Sequence, residues 1–145
     1  MKKRISLLIS ALLLASSAGA TKDVAFVSNP SVAADWVYFS GMSVAADWIY
    51  FSGQSAAAKW IHVTSSCSTA DIEVVDGSPS YADWVYFSGM SVAANWIYLS
   101  GASVAAVWIY VTTSAVGADY TICFPSSLDF DERHIAAIYI LFLKK

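Results

Sequence analysis

The chain has 145 residues and a formal charge of −3, and 57% of its residues are hydrophobic, 14% aromatic and 13% charged. This composition excludes a disordered chain and predicts a large buried apolar surface. The length corresponds to one domain, and the acidic balance argues against nucleic acid and anionic membranes as partners.

Residues 1–20 have the features of a signal peptide. Residues 2–4 are basic, residues 5–15 are apolar, and residues 18–20 read Ala-Gly-Ala, a small-x-small cleavage pattern. The apolar stretch is too short to span a bilayer. We therefore expect a periplasmic or extracellular protein, cleaved near Ala20, with no membrane span in the mature chain. Its charge becomes −6, because cleavage removes three of the eight basic residues and leaves eleven acidic ones.

A twelve-residue repeat runs through residues 21–125. Each clear unit contains a run such as Trp-Val-Tyr-Phe, which is aromatic and β-branched and therefore typical of a strand. Ser-Gly follows it as a turn signal. We predict a strand of about six residues, a turn and a short return in each unit, with one large apolar residue per unit forming the repeat core: Trp36, Trp48, Trp60, Ile72, Trp84, Trp96, Trp108 and Tyr120.

Two further features describe how the units are combined. Both faces of the predicted strand are apolar in its middle, so the strand is expected to be covered on both sides. Residues 34–66 and 82–114 match at 26 of 33 positions when offset by 48, which is four units. The domain is thus predicted to consist of two near-copies, about 31–66 and 79–114, in a compact all-β fold.

The segment 126–145 departs from the repeat. It starts with a charged run, and residues 135–143 are almost wholly apolar. Ile138-Tyr139-Ile140 favours a closing strand over a helix because these residues are β-branched or aromatic.

The repeated phrase Ala-Asp-Trp-Val-Tyr-Phe-Ser, with its variants at 34–40, 46–52 and 82–88, resembles the septoil-knot domain family of small exported bacterial proteins. Their repeats centre on a Ser-x-Ala-Asp turn before a hydrophobic strand containing Val-Tyr. Residues 80–83 (Ser-Tyr-Ala-Asp) and 68–71 (Ser-Thr-Ala-Asp) match that turn. The resemblance covers roughly residues 23–124 and implies a compact, mostly β fold wound into a seven-crossing torus knot. It implies no activity and no cofactor.

A plain β-solenoid is the alternative fold, since true knots are very rare. The two cysteines, Cys67 and Cys123, separate the two possibilities. An even number of cysteines in an exported protein predicts a disulfide, which requires Cα atoms within about 7 Å of each other. A straight solenoid with a twelve-residue coil holds them about 22 Å apart, so an intrachain bond requires a chain that winds back on itself.

An aspartate precedes the large apolar residue in most units. Stacked carboxylates at strand spacing can bind calcium, but an Asp that bonds the backbone of its own turn is the more common arrangement. We interpret this column as turn residues and predict no metal and no cofactor: Asp35, Asp47, Asp71, Asp83 and Asp119, with Asp23 in the same phase.

No phosphate loop, zinc spacing or nucleophile elbow is present in the sequence, and no catalytic residue is predicted. We expect a non-enzymatic exported protein of unknown molecular function, selected for structure and stability. The alternatives are a self-assembling or adhesive β-solenoid, since low-charge aromatic strands favour cross-β association, and a carbohydrate-binding module in which the Trp residues stack on sugars. The partners are unknown.

Overall fold

The computed structural model describes residues 21–54, 56 and 58–144. The predicted signal peptide, residues 1–20, lies outside the described residues. The described chain forms nine short strands and one C-terminal helical segment. The strands are β1 (Lys22–Phe26), β2 (Asp35–Phe39), β3 (Asp47–Phe51), β4 (Lys59–Thr64), β5 (Ile72–Val74), β6 (Asp83–Phe87), β7 (Asn95–Leu99), β8 (Val107–Thr112) and β9 (Tyr120–Cys123).

The nine strands form one closed barrel in the order β1-β5-β9-β4-β8-β3-β7-β2-β6, and all nine pairings are parallel. The predicted fold is all-β; the described chain is mostly β and also contains the C-terminal helical segment. Because the strands are parallel, they all begin at one end of the barrel and finish at the other. We call these ends the amino end and the carboxyl end.

Strand pairing differs from that of a solenoid. Every ladder joins strands that are four or five apart in sequence, such as β2 with β6 and β2 with β7. In a solenoid each coil pairs with the next one, so the solenoid alternative is wrong for the described strands. The disulfide agrees with this pairing, because a straight solenoid would hold Cys67 and Cys123 about 22 Å apart, whereas their Cα atoms are 5.2 Å apart.

The chain moves around the barrel by a constant step. Each strand lies two places from the preceding one, always in the same direction, so that β1 to β4 occupy alternate places and the later strands fill the gaps. The connections return from the carboxyl end to the amino end, and each passes one intervening strand. They are short: residues 40–46 join β2 to β3. Seven extended residues reach about 23 Å, enough for a strand of five residues that is about 17 Å long.

The barrel interior is lined by the third residue of each regular strand. These residues are Val or Ile, they are fully buried, and they form one apolar core: Val37, Ile49, Ile61, Val85, Ile97 and Ile109. Successive side chains on a strand point to opposite faces. The Trp and Tyr residues on either side therefore lie on the outer face, where they are half-buried.

The predicted Trp core is therefore wrong for six of its eight members. Trp36 and its five counterparts lie outside the barrel, whereas Ile72 is buried in the interior and Tyr120 packs against the core. The reason is that β1, β5 and β9, which are adjacent in the barrel, turn the opposite face of the repeat toward the interior. In these strands the repeat position that Trp holds elsewhere points inward, and it is occupied by Val24, Ile72 or Tyr120.

The predicted closing strand at residues 126–145 is also wrong. Helix α1 (Glu132–Ile138) is followed directly by a π-helical turn, Tyr139–Leu143. Asp131 caps the helix: its side chain accepts a hydrogen bond from the backbone N–H of Arg133, and His134 accepts one from the backbone N–H of Asp131. This reciprocal cap offsets the strand preference of the residues that follow.

Candidate functional site

An aromatic belt surrounds six strands of the barrel on the outside. Each strand contributes a Trp and, two residues later, a Tyr or, in β4, His62. The register places five of the six Trp residues beside a Tyr of the neighbouring strand, whereas Trp84 lies beside Ala25. Five such pairs have ring centroids 5.0–5.7 Å apart and steep interplanar angles: Trp36–Tyr86, Tyr38–Trp96, Trp48–Tyr98, Tyr50–Trp108 and Trp60–Tyr110. Edge-to-face pairs of this kind are the arrangement that aromatic rings favour.

The Trp residues also bind the connections to the strands. The indole N–H donates to the backbone carbonyl five residues earlier, at 2.8–3.0 Å, in Trp36, Trp48, Trp84, Trp96 and Trp108. That carbonyl belongs to the turn that enters the strand, as Ser31 does for Trp36. The indole thus satisfies its polar atom locally while its ring covers the barrel wall.

The aspartate column lies at the amino end of the barrel. We expected each Asp to bond the backbone of its own turn, but two of them bond a neighbouring strand instead. Asp71 accepts a hydrogen bond from the backbone N–H of Thr121 at 2.8 Å, and Asp119 accepts one from that of Trp60 at 2.8 Å. Both bonds link neighbouring strands. They therefore extend the parallel ladder by one residue on either side of β9.

The other aspartates line the mouth of the barrel. Asp83 pairs with Lys22 and Asp47 pairs with Lys144, each at 2.9 Å. Asp35 lies on β2, beside the β6 strand that carries Asp83. Burial raises the pKa of Asp35, and the negative charge of Asp83 raises it further. Among the described residues, no group of three or more His, Cys, Asp or Glu side chains is placed to hold a metal ion.

Cys67 and Cys123 form a disulfide with a Cα–Cα distance of 5.2 Å, as the sequence predicts. Cys123 is the last residue of β9 and is fully buried. Cys67 lies in the connection from β4 to β5, which passes over β9 because β9 stands between those two strands. The bond therefore attaches a connection to the strand that it crosses.

The two histidines have structural surroundings. His62 takes a Tyr position in the belt, and its Nδ1 is 3.3 Å from the carbonyl oxygen of Thr112. His134 packs against both Phe26 and Phe87, with ring centroids 4.7 and 5.1 Å away. Burial lowers the pKa of His134 despite the nearby carboxylate of Asp131.

An apolar groove at the carboxyl end has no counterpart among the sequence motifs. It has a volume of about 450 Å³ and lies between the last residues of β4 and β8 and the segment after β9, including Val111, Phe124, Leu128 and Phe130. Phe124 and Phe130 stack at 3.9 Å with nearly parallel rings. The Pro125-Ser126-Ser127 turn brings these two rings together, and only the turn itself is visible in the sequence.

No family model, no curated protein and no solved structure matches this chain. No helix in the described part of the chain is long and apolar enough to cross a membrane.

Proposed function

We propose that this is an exported, non-enzymatic β-repeat protein of the septoil-knot type, whose role depends on persistence outside the cytoplasm. The observation that carries the proposal is the constant two-place step of the chain around a closed parallel barrel. Eight connections with this step wind the backbone almost twice around the axis, and each connection passes over one strand of the other circuit. A regular two-circuit winding of this kind is the path of a torus knot.

Two other features support persistence. Each of the nine described strands is hydrogen-bonded on both sides, so the sheet offers proteases and other chains no free edge among them. The disulfide adds a covalent link of a kind that lasts in an oxidising compartment. The same closure removes the exposed edge that the self-assembling alternative requires.

Stretching single molecules by their termini tests the knot. The probe is the C67S/C123S double variant, since the disulfide would otherwise shorten the extended chain. An unknotted chain extends to about 3.6 Å per residue. A knotted chain tightens its knot when stretched, so its measured contour length falls short of this value by the same amount in every molecule. Full extension in every molecule would exclude the knot.

Protease resistance tests the role. We expect the oxidised protein to survive a broad-specificity protease at least about tenfold longer than a disulfide-free, unknotted domain of similar size, because cleavage requires global opening. A half-life like that of an ordinary small domain would contradict the proposed selection for persistence. It would leave the knot unaffected, so the two parts of the proposal are tested separately.

A carbohydrate-binding module remains the second candidate, since six Trp residues lie on the outside and not in the core. The edge-to-face Trp–Tyr pairs give a ridged surface, which suits packing better than flat stacking on sugar rings. Binding to insoluble polysaccharides, measured by depletion of the protein from solution, tests it. Specific retention that is lost in a Trp48→Ala variant, with Val92→Ala on an exposed turn as the control, would favour this candidate.

A further inference from the structure

We propose that the disulfide closes a covalent ring through which the C-terminal helical segment is threaded, so that this segment is a plug whose release is controlled by reduction. The ring consists of residues 67–123, and the plug is α1 together with the π-helical turn. The proposal rests on the position of the plug, the course of the ring and the short ladder between β5 and β9.

The plug lies inside the barrel. Four consecutive residues of α1, Ile135, Ala136, Ala137 and Ile138, are at most 3% exposed. Consecutive helical residues point in directions about 100° apart, so the helix is enclosed on all sides. Its residues belong to the same apolar core as the inward Val and Ile residues of the strands. The two alanines make the helix narrow where it lies among these side chains.

The contacts at the two ends of the plug show that it spans the barrel. His134, in its first turn, packs on Phe26 and Phe87, the last residues of β1 and β6, at the carboxyl end. Near its last residue, the ring of Phe142 lies 5.6 Å from the Lys22 ammonium, and Lys144 pairs with Asp47; both partners are first residues of strands. The plug therefore runs along the axis, antiparallel to the strands.

The ring surrounds this axis once. From Cys67 the chain enters β5 and then steps by two places through β6, β7, β8 and β9. The disulfide returns from Cys123 in β9 to Cys67, in the connection that passes over the same strand. The ring thus makes one complete circuit of the barrel wall, with the plug inside it.

The disulfide lies beside the shortest ladder in the barrel. Strands β5 and β9 share two residue pairs, whereas the other eight ladders contain three or four. One of the two pairs is Glu73 with Cys123 itself. Asp71 and Thr121 add a backbone bond and a side-chain bond at the amino end of this short ladder, and the disulfide at Cys123 holds its carboxyl end closed.

Reduction removes this restraint. A dithiol reductant transfers two electrons and two protons to the disulfide, giving two thiols and an oxidised cyclic disulfide of the reductant. The β4–β5 connection is then free to lift from β9, and the wall can open between β5 and β9. Tyr139 of the plug packs on Tyr120, the first residue of β9, so the plug loses contacts in the same opening.

Hydrogen exchange of the full chain tests whether reduction releases the plug. We compare the oxidised protein with the same protein kept reduced by dithiothreitol and with C67S/C123S. Amides of residues 132–143 and of β5 and β9 are expected to exchange at least about tenfold faster after loss of the disulfide, with a clearly smaller change in β2 and β7 across the barrel. Re-oxidation should restore the slow exchange. An equal increase in all strands, or no increase in the plug, would overturn the proposal.

The matched control is Ile97→Val. Ile97 is fully buried in β7, on the opposite side of the barrel from the β5–β9 pairing. This variant destabilises the core with the disulfide intact. It should not accelerate exchange in the plug selectively. An exchange pattern like that of the reduced protein would show that the plug responds to any loss of stability, and it would overturn the proposal that reduction controls release of the plug.

A folded domain fused after Lys145 tests the threading. A threaded plug leaves an intact ring only by withdrawing its C-terminal end, and the fused domain obstructs this path. We expect the fusion to slow exchange of residues 132–143 in the oxidised protein and to leave it unchanged in the reduced protein, where the wall can open. The same domain fused at the N-terminus is the control. An equal effect of the C-terminal fusion in both redox states would exclude a threaded ring.

Discussion

Trp36 illustrates how a residue that is large and apolar can belong to the wall of a fold and not to its interior. Both faces of the strand are apolar, so hydrophobicity alone does not decide which face is inside. Size does: the lumen already holds a helix, and Val37 fits there while an indole does not. The outward Trp has a second function that the sequence hides, since its N–H binds the carbonyl of Ser31 in the preceding turn.

A Trp36→Phe substitution tests this function. The benzyl ring keeps much of the apolar cover but has no N–H, so the carbonyl of Ser31 loses its partner. We expect a loss of about 1–2 kcal/mol in the free energy of unfolding, from one hydrogen bond and some buried area. Tyr86→Phe is the control, because it keeps the ring pair with Trp36 and removes only a hydroxyl. Urea denaturation measures both; equal stabilities of the two variants would contradict a role for the indole N–H.

His134 makes stability depend on pH. Burial against Phe26 and Phe87 lowers its pKa in the folded protein, so the unfolded chain, with a pKa of about 6.5, binds the proton more readily. The contribution is therefore fully present above about pH 6.5 and is lost as the pH falls through the lower, folded-state pKa. The groups facing the ring are Asp131, which opposes the shift, and Arg133, which adds to it.

We expect the melting temperature to fall between about pH 7.5 and about pH 5 and the fall to be smaller in His134→Gln. Gln retains a side chain that can complete the helix cap but does not titrate. Asp131 does not titrate in this range, because hydrogen bonds from Arg133 hold its pKa below 3.8 although burial opposes them. An unchanged pH profile in the variant, measured by calorimetry, would show that other groups cause the dependence.

At the scale of the elements, the positions of the strands can be predicted from the sequence, but the exchange of inner and outer faces in three of them cannot. The Trp-Val-Tyr-Phe run and the Ser-Gly turn mark the strands well, because β propensity and turn chemistry are local properties. In β1, β5 and β9 the opposite face of the repeat points inward. This depends on which strands are neighbours in the barrel, and a local sequence pattern does not contain that information. A trace of it is present, however: the Trp position holds Val24, Ile72 and Tyr120, which are 48 residues apart and point into the barrel.

Ile72→Trp tests this exchange of faces by restoring the residue that the repeat predicts. In β5 this position points into the lumen and is 2% exposed, so the larger ring has no room beside the plug. We expect destabilisation of at least about 2 kcal/mol from overpacking. Glu73→Trp, at the neighbouring outward-facing position of β5, is the control for the size of the introduced residue and should cost less. A tolerated Ile72→Trp, measured by thermal unfolding, would contradict the inward orientation.

The sequence of the C-terminal segment contains two competing signals, one for a strand and one for a helix. Ile138-Tyr139-Ile140 has high β propensity, whereas Asp131 followed by His134 is a helix cap, and Ala136 and Ala137 favour a helix. The closed barrel decides between them: all nine strands already have two partners, and a tenth strand inside would leave its backbone unpaired. A helix satisfies its own hydrogen bonds, so only a helix can fill this lumen.

At the scale of the whole molecule, the pairing of each strand with strands four or five places away in sequence determines the folding rate. Every strand pairs with strands about 50 or 60 residues away, such as Trp36 with Tyr86 and Tyr38 with Trp96. No ladder can form before a long loop closes, and the plug must enter a barrel whose wall comes from both circuits. Proteins dominated by such distant contacts fold slowly. Unfolding must break several interleaved ladders together, so it is expected to be slow as well.

Refolding kinetics, followed by Trp fluorescence, check this expectation. We expect the main refolding phase of the oxidised chain to be slower than about 1 s⁻¹, the slow end of the range for small domains. Brief unfolding before refolding is the control, since it leaves Pro30, Pro79 and Pro125 in their native isomers and so removes proline-limited phases. A phase that stays slow after brief unfolding is set by the winding of the chain. Refolding within milliseconds would contradict it, because strands 50 residues apart cannot be arranged in two interleaved circuits around a central helix that quickly.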